Sequence, residues 1–110
     1  MASLPNHTAL LILSSLADAD RHGYAIKKDI AERTGGEVRL GSTTLYRLLG
    51  QLLDGGLIEE AKARPAPQLD DERRRYFHLT AAGRRALVAE LRILERVLTA
   101  VRPALAPRSR

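Results

Sequence analysis

The apolar positions of this chain fall into four helical patterns and two short alternating ones. In residues 6–17, Leu10, Leu11, Ile12, Leu13, Leu16 and Ala17 put apolar groups nearly all round a helix. Such a helix must be covered on two sides. Pro5 and then Asn6, a suitable N-cap, mark its start. Asp18 to Gly23 reads as a polar break. Residues 23–34 predict a second helix, with Ile26 and Ile30 on one face and Tyr24 and Ala31 beside it. Lys27, Lys28, Asp29, Glu32 and Arg33 are left for its more exposed positions, and Thr34-Gly35-Gly36 stops it. Val38-Arg39-Leu40 is a short extended candidate. Gly41-Ser42 opens a third helix, capped by Ser42 or Thr43. Its apolar set is Leu45, Leu48, Leu49, Leu52 and Leu53, the spacing of a core-facing helix, and Gly55-Gly56 ends it.

Residues 57–62 then read as a strand, and residues 73–79 as another, with Phe77 and Leu79 on one face and Tyr76 and His78 on the other. The stretch between them, ARPAPQLDDE, carries two prolines and an acidic cluster and predicts an exposed loop. Thr80 is a good N-cap for a long last helix that tolerates Gly83 in its first turn. The helix runs to about Arg102, Pro103 should end or kink it, and the tail ALAPRSR should fray. The fold class is therefore mainly α with a small β-hairpin. Helix–turn–helix followed by hairpin is a winged helix, placed here in residues 1–79. Residues 80–110 are left for a C-terminal dimerisation helix and frayed tail. The third helix is slim enough to enter a DNA major groove, about 12 Å wide.

Leu87, Leu91, Leu94, Leu98, Val101 and Leu105 recur alternately four and three residues apart, a heptad seam, with Ile93 and Val97 beside it. About two and a half heptads make only a marginal coiled coil in isolation. So much apolar surface must nevertheless be covered, either by the helix's own domain or by its copy in a second chain. The second reading is favoured because the helix is longer than so small a domain needs. A two-fold dimer would also set two recognition helices about one DNA turn apart.

Composition sharpens this picture mostly by exclusion. The chain has 110 residues, 45% apolar and 28% charged, enough for one domain with a core. It has no cysteine, which removes disulfides, thiolate zinc sites and cysteine catalysis and fits a reducing compartment. Its apolar runs are far shorter than the roughly 18 residues that span a bilayer, so no membrane partner is expected. The N-terminal stretch has no positive charge ahead of its apolar residues, unlike a secretory signal. His7, His22 and His78 lie in different elements, and the sequence carries no HExxH, phosphate-loop or GxSxG motif. Asp70-Asp71-Glu72 lacks the alternating ligands of a calcium loop. No enzyme, metal or cofactor is expected.

The net charge is +5, and its excess lies in the second half of the chain. An anionic partner, most often nucleic acid, and simple solubility explain that equally well. Candidate DNA contacts begin with the small hydroxyls Ser42, Thr43 and Thr44 at the start of the third helix, where free N–H groups favour phosphate. Tyr46, Arg47 and Gln51 follow on the outer face. Arg47 can pair with phosphate or fork to guanine, and Gln51 can read adenine. A capped amphipathic helix with a solvated outer face would have the same spacing. Arg73 and Arg75, at the base of the second strand, and Arg64, across the loop, are candidates for tracking phosphate or the minor groove. Arg73-Arg74-Arg75 equally well neutralises the acidic run before it.

Four motifs, in order and at the expected spacing, resemble the PadR family of bacterial winged-helix transcriptional regulators over residues 8–105. They are His22-Gly23-Tyr24-Ala25-Ile26-Lys27-Lys28, Thr44-Leu45-Tyr46-Arg47-Leu48-Leu49, Gly56-Leu57-Ile58-Glu59, and Tyr76-Phe77-His78-Leu79-Thr80-Ala81-Ala82-Gly83. The resemblance, to the smaller subtype with one C-terminal helix, implies a cytoplasmic bacterial repressor. It would act as a homodimer on a palindromic operator in double-stranded DNA, with Lys28 among its contacts. The first and last helices would form the interface, adding Leu10 to Leu87, Leu91, Leu94, Leu98 and Val101. The resemblance also implies relief by a small hydrophobic or aromatic effector. Three departures stand out. Ser42-Thr43 replaces the Pro-Gly of many members, the wing loop is acidic and Pro-bearing, and there is no Trp to stack a planar drug. The acidic wing keeps open a second function, a winged-helix adaptor that regulates a partner protein without binding an operator.

Overall fold

The structure is a computed structural model that describes residues 7–61 and 75–107. Its elements run α1 (His7–Ser15), β1 (Arg21–His22), α2 (Gly23–Arg33), α3 (Ser42–Asp54), β2 (Ile58–Glu60), β3 (Tyr76–Leu79) and α4 (Ala81–Leu105). This is the mainly helical, winged-helix arrangement that the pattern predicts.

The polar break after α1 hides a strand. Arg21 and His22 pair antiparallel with Phe77 and Tyr76, so the expected two-stranded hairpin is a three-stranded sheet in the order β1-β3-β2. Two residues carry no alternation to read, and only the partner strand reveals them. β2 and β3 pair in the register Ile58–Leu79, Glu59–His78 and Glu60–Phe77, a shorter ladder than the two predicted strands. Val38-Arg39-Leu40 is not a strand but a loop.

The caps also differ from expectation. Gly41, not Ser42 or Thr43, is the N-cap of α3, and no side chain caps that end. His22 caps α2, its Nδ1 accepting from the Ala25 amide at 3.2 Å. Thr80 caps α4 as expected, accepting from Gly83 N at 3.0 Å. Its hydroxyl donates to the Gly56 carbonyl at 2.7 Å, tying α4 to the end of α3. The glycine pairs after α2 and α3 stop those helices through paired bonds from the next two amides back to carbonyls of the last turn. α4 passes through Pro103 to Leu105 rather than ending at Arg102. So near the helix end, the hydrogen bond that proline forfeits is one of the last available.

One core unites these elements. Ile12 and Leu13 of α1, Ile26 and Ile30 of α2, Leu45, Leu48, Leu49 and Leu52 of α3, Ile58 and Phe77 of the sheet, and Ala86 and Leu87 of α4 are buried together. Gly83 lets α4 reach the sheet. A Cβ there would overlap the Leu57 carbonyl oxygen and crowd Leu79 Cδ1. Glycine at this position is required by contact, not merely tolerated.

Ion pairs fasten the other side. Arg21 Nε donates to the Ser15 carbonyl at 2.7 Å, and its Nη2 lies 3.2 Å from Asp18 and 3.6 Å from Asp29. Arg33 reaches Asp29 at 2.7 Å and Asp18 at 3.2 Å. Desolvation pushes the Asp18 carboxyl upward, but its own amide, Arg33 and Arg21 outweigh this and hold it below its ordinary value. His78 Nδ1 sits 2.7 Å from Asp20 Oδ1, linking β3 to the turn before β1.

Candidate nucleic-acid interface

α3 is two-faced. Leu45, Leu48, Leu49 and Leu52 are buried against the core, and Ser42, Thr43, Tyr46, Arg47 and Gln51 stand on the exposed face. The leucine spacing alone sets this division, since residues three and four apart share a side of a helix. Thr44 is half-buried at the boundary. Among the described residues Arg47 and Gln51 have no side-chain hydrogen bond or ion pair. Both are therefore free to reach a ligand.

Tyr46 is more constrained than its exposure suggests. A Cβ on Gly23 would stand only 2.5 Å from the Tyr46 hydroxyl, so the ring lies across the start of α2. Glycine at 23 makes room for it and sets the distance between α2 and α3. The His22 ring stacks near that of Tyr24, centroids 6.4 Å apart, and meets Tyr76 edge-on at 5.2 Å. The His-Gly-Tyr signature is thus a joint between α2, α3 and the sheet.

Lys28 is exposed on α2, as expected. Its neighbour Lys27 lies closer to α3, with Nζ 3.2 Å from Ser42 Oγ. Sequence reasoning chose Lys28 and missed Lys27, because helical spacing cannot show which of two adjacent lysines leans toward the next helix. Arg75 is already engaged. Its Nη2 and Nε donate to Glu60 Oε2 at 3.2 and 3.3 Å, and its guanidinium lies 5.3 Å from the Phe77 ring centre. The sequence reading offered Arg75 to DNA or, as the alternative, to Asp70-Asp71-Glu72; in the structure its partner is a cross-strand carboxylate. Arg64 and Arg73 lie outside the described residues.

The dimer candidates divide. Leu10 and Leu87 are buried in the chain's own core, at 6% and 4% exposure, which leaves little of either for a partner. Leu94 is partly covered by the same core, whereas Leu91, Leu98 and Val101 are exposed. No group of three or more His, Asp or Glu side chains that could hold a metal occurs among the described residues. No described helix is long and apolar enough to cross a membrane.

The profile of the Transcriptional regulator PadR-like family matches residues 12–89, which include α2, α3, the sheet and the start of α4. This chain belongs to that family. PadR-like proteins are transcriptional regulators and not enzymes. An uncharacterised 37.1 kDa protein of transposon TN4556 from Streptomyces fradiae is 38% identical over 92 residues. The match takes in 84% of this chain but spans only about a quarter of that relative, 24%. A PadR family transcription regulator from Clostridium difficile superposes with a TM-score of 0.77 at 27% identity, over 92% of this chain and 100% of that one. Bacillus subtilis PadR, solved in complex with operator DNA, superposes with a TM-score of 0.65 over 78% of this chain and 47% of its own. At 23% identity, that likeness is one of fold.

Proposed function

We propose that this PadR-like protein is a sequence-specific DNA-binding repressor, acting as a homodimer that presents α3 of each copy to a palindromic operator. The observation that carries the DNA half is α3 itself, with its leucines in the core and Ser42, Thr43, Tyr46, Arg47 and Gln51 outside. Exposed hydroxyls at an N-terminus without a side-chain cap suit phosphate, and an unpaired arginine one turn on suits phosphate or a guanine edge. That Bacillus subtilis PadR has been solved on operator DNA supports the same class of partner here. The homodimer rests on the uncovered apolar stripe of α4 at Leu91, Ile93, Val97, Leu98 and Val101. Relief by a small hydrophobic or aromatic ligand and a bacterial cytoplasmic location are proposed on the family resemblance alone.

The test is fluorescence anisotropy with a duplex from upstream of the protein's own gene, beside a scrambled duplex. The expected result is preferential binding that weakens steeply with salt. Arg47→Ala should weaken operator binding by about 1–3 kcal/mol with the melting temperature unchanged. An intact, dimeric Arg47→Ala variant with wild-type affinity would remove α3 from the interface. Absence of salt-dependent binding to either duplex would favour the adaptor function instead.

A further inference from the structure

Beside α3 lies a cleft of about 620 Å³, between α2 and the loop that joins it to α3. Tyr24, Lys27, Lys28 and Glu32 line one wall, and Gly35, Gly36, Arg39 and Leu40 the other. Gly35 and Gly36 make the turn at its base with φ of 63° and 84°, values that side-chain-bearing residues rarely adopt. Arg39 folds back over this turn, its Nη2 3.2 Å from where a Gly36 Cβ would stand.

The positive charge in this cleft is only partly compensated. Lys27, Lys28 and Arg39 face one carboxylate, Glu32. Among the described residues the side chains of Lys28, Arg39 and Glu32 make no hydrogen bond or ion pair, and the Lys27 ammonium touches only the neutral Ser42 hydroxyl. Elsewhere among the described residues, Arg21, Arg33 and Arg75 each meet a carboxylate, whereas Arg47 on α3 and Arg85, Arg92, Arg96 and Arg102 on α4 do not. Tyr24 is 66% exposed at the rim and offers a further hydroxyl donor.

We infer that this cleft is a second anchoring point for DNA, binding a backbone phosphate beside the groove that α3 enters. The inference rests on the DNA-binding function proposed above and adds Tyr24, Lys27 and Arg39 to its contacts. Lys27 joins the cleft to α3 through Ser42, so a strand running past the α3 N-terminus meets the cleft next. An arginine fork and two ammonium groups suit a phosphodiester, whose recognition carries no base information but fixes the protein's register on the duplex. Glu32 opposes the phosphate and limits the affinity.

The test compares anisotropy titrations over a salt series for the wild type, a Lys27→Gln/Lys28→Gln/Arg39→Gln variant, Glu32→Gln, and Arg47→Ala. A control neutralises Arg85, Arg92 and Arg96, on the far face of α4. Melting curves check that each variant folds. The cleft variant should weaken binding to operator and scrambled duplexes alike, with a salt slope shallower by about one per chain. Glu32→Gln should tighten binding to both duplexes, and the α4 control should keep the wild-type slope. If the cleft variant keeps the wild-type slope while Arg47→Ala loses operator affinity, the cleft is overturned and the DNA function stands. If the α4 control flattens the slope equally, net charge is responsible and the cleft is likewise overturned. If the wild type binds neither duplex, both proposals fall together.

Discussion

The two halves of α4 share one apolar periodicity and meet opposite fates. From Ala81 to Leu94 most of the inner face is spent in the core, with Gly83 against the Leu57 carbonyl, Ala86 and Leu87 buried and Leu94 partly covered, and only Leu91 of that seam left 45% exposed. Beyond Leu94 the same face continues as Val97, Leu98, Val101 and Leu105, exposed at 54%, 46%, 41% and 71%. A helix of 25 residues is about 37 Å long, and the molecule measures 60 Å along its longest axis but only 31 and 23 Å across. The body is too short to cover its last helix. Periodicity selects which face of a helix is apolar, and tertiary dimensions decide what covers it.

The largest expected effect probes the covered half. Gly83→Val should destabilise the fold by more than about 3 kcal/mol, beyond ordinary overpacking, because backbone rather than a movable side chain fills the space. A melting temperature near that of the wild type would mean that α4 does not seat on the sheet through Gly83. Next, Leu87→Ala should cost about 3 kcal/mol, as a buried leucine truncation does, without weakening self-association beyond that loss. Leu98→Ala with Val101→Ala should do the reverse. The stability of the isolated chain should stay within about 0.5 kcal/mol per site, as at other exposed positions. The sedimentation-equilibrium dimer constant should weaken more than tenfold, and the concentration dependence of the melting temperature should fade. Equal behaviour of the two variants in sedimentation and melting would erase the contrast between the halves.

The smallest effect concerns the ion pairs that hold the body together. The Asp18 carboxyl is held below its ordinary value of 3.8, so its stabilising contribution is present above that pH and is lost as pH falls through the folded-state value. Asp18→Asn should therefore lower the melting temperature slightly at neutral pH, less at high salt, and not at all in strong acid. A difference that persisted in strong acid would assign the effect to something other than this carboxylate.

Much of this molecule was legible in its sequence. Helices carry a period that survives without neighbours, so α1 to α4 and the leucine face of α3 could be read directly. The outward set Ser42, Thr43, Tyr46, Arg47 and Gln51 followed as the complement of that face. β1 could not be read, because two residues form a strand only by pairing with Tyr76 and Phe77. Nor could the His22 cap, since histidine is an unusual choice there. Lys27 and Arg39 were missed as site residues because the cleft forms only when the Gly35-Gly36 turn folds its loop back beside α2.

The sequence by itself thus determined the helices, the glycine stops of α2 and α3 and the inward and outward faces of α3, all properties of neighbours along the chain. Tertiary structure alone decided that Gly83 must be glycine, that Arg75 is engaged with Glu60, that Leu10 and Leu87 belong to the core, and that α4 runs bare beyond Leu94. The physical reason is one of range. Helical period and turn chemistry act over about four residues. Burial, ion pairing and close approach depend on groups that only the folded chain brings together, such as Gly83 with Leu57 or Lys27 with Ser42.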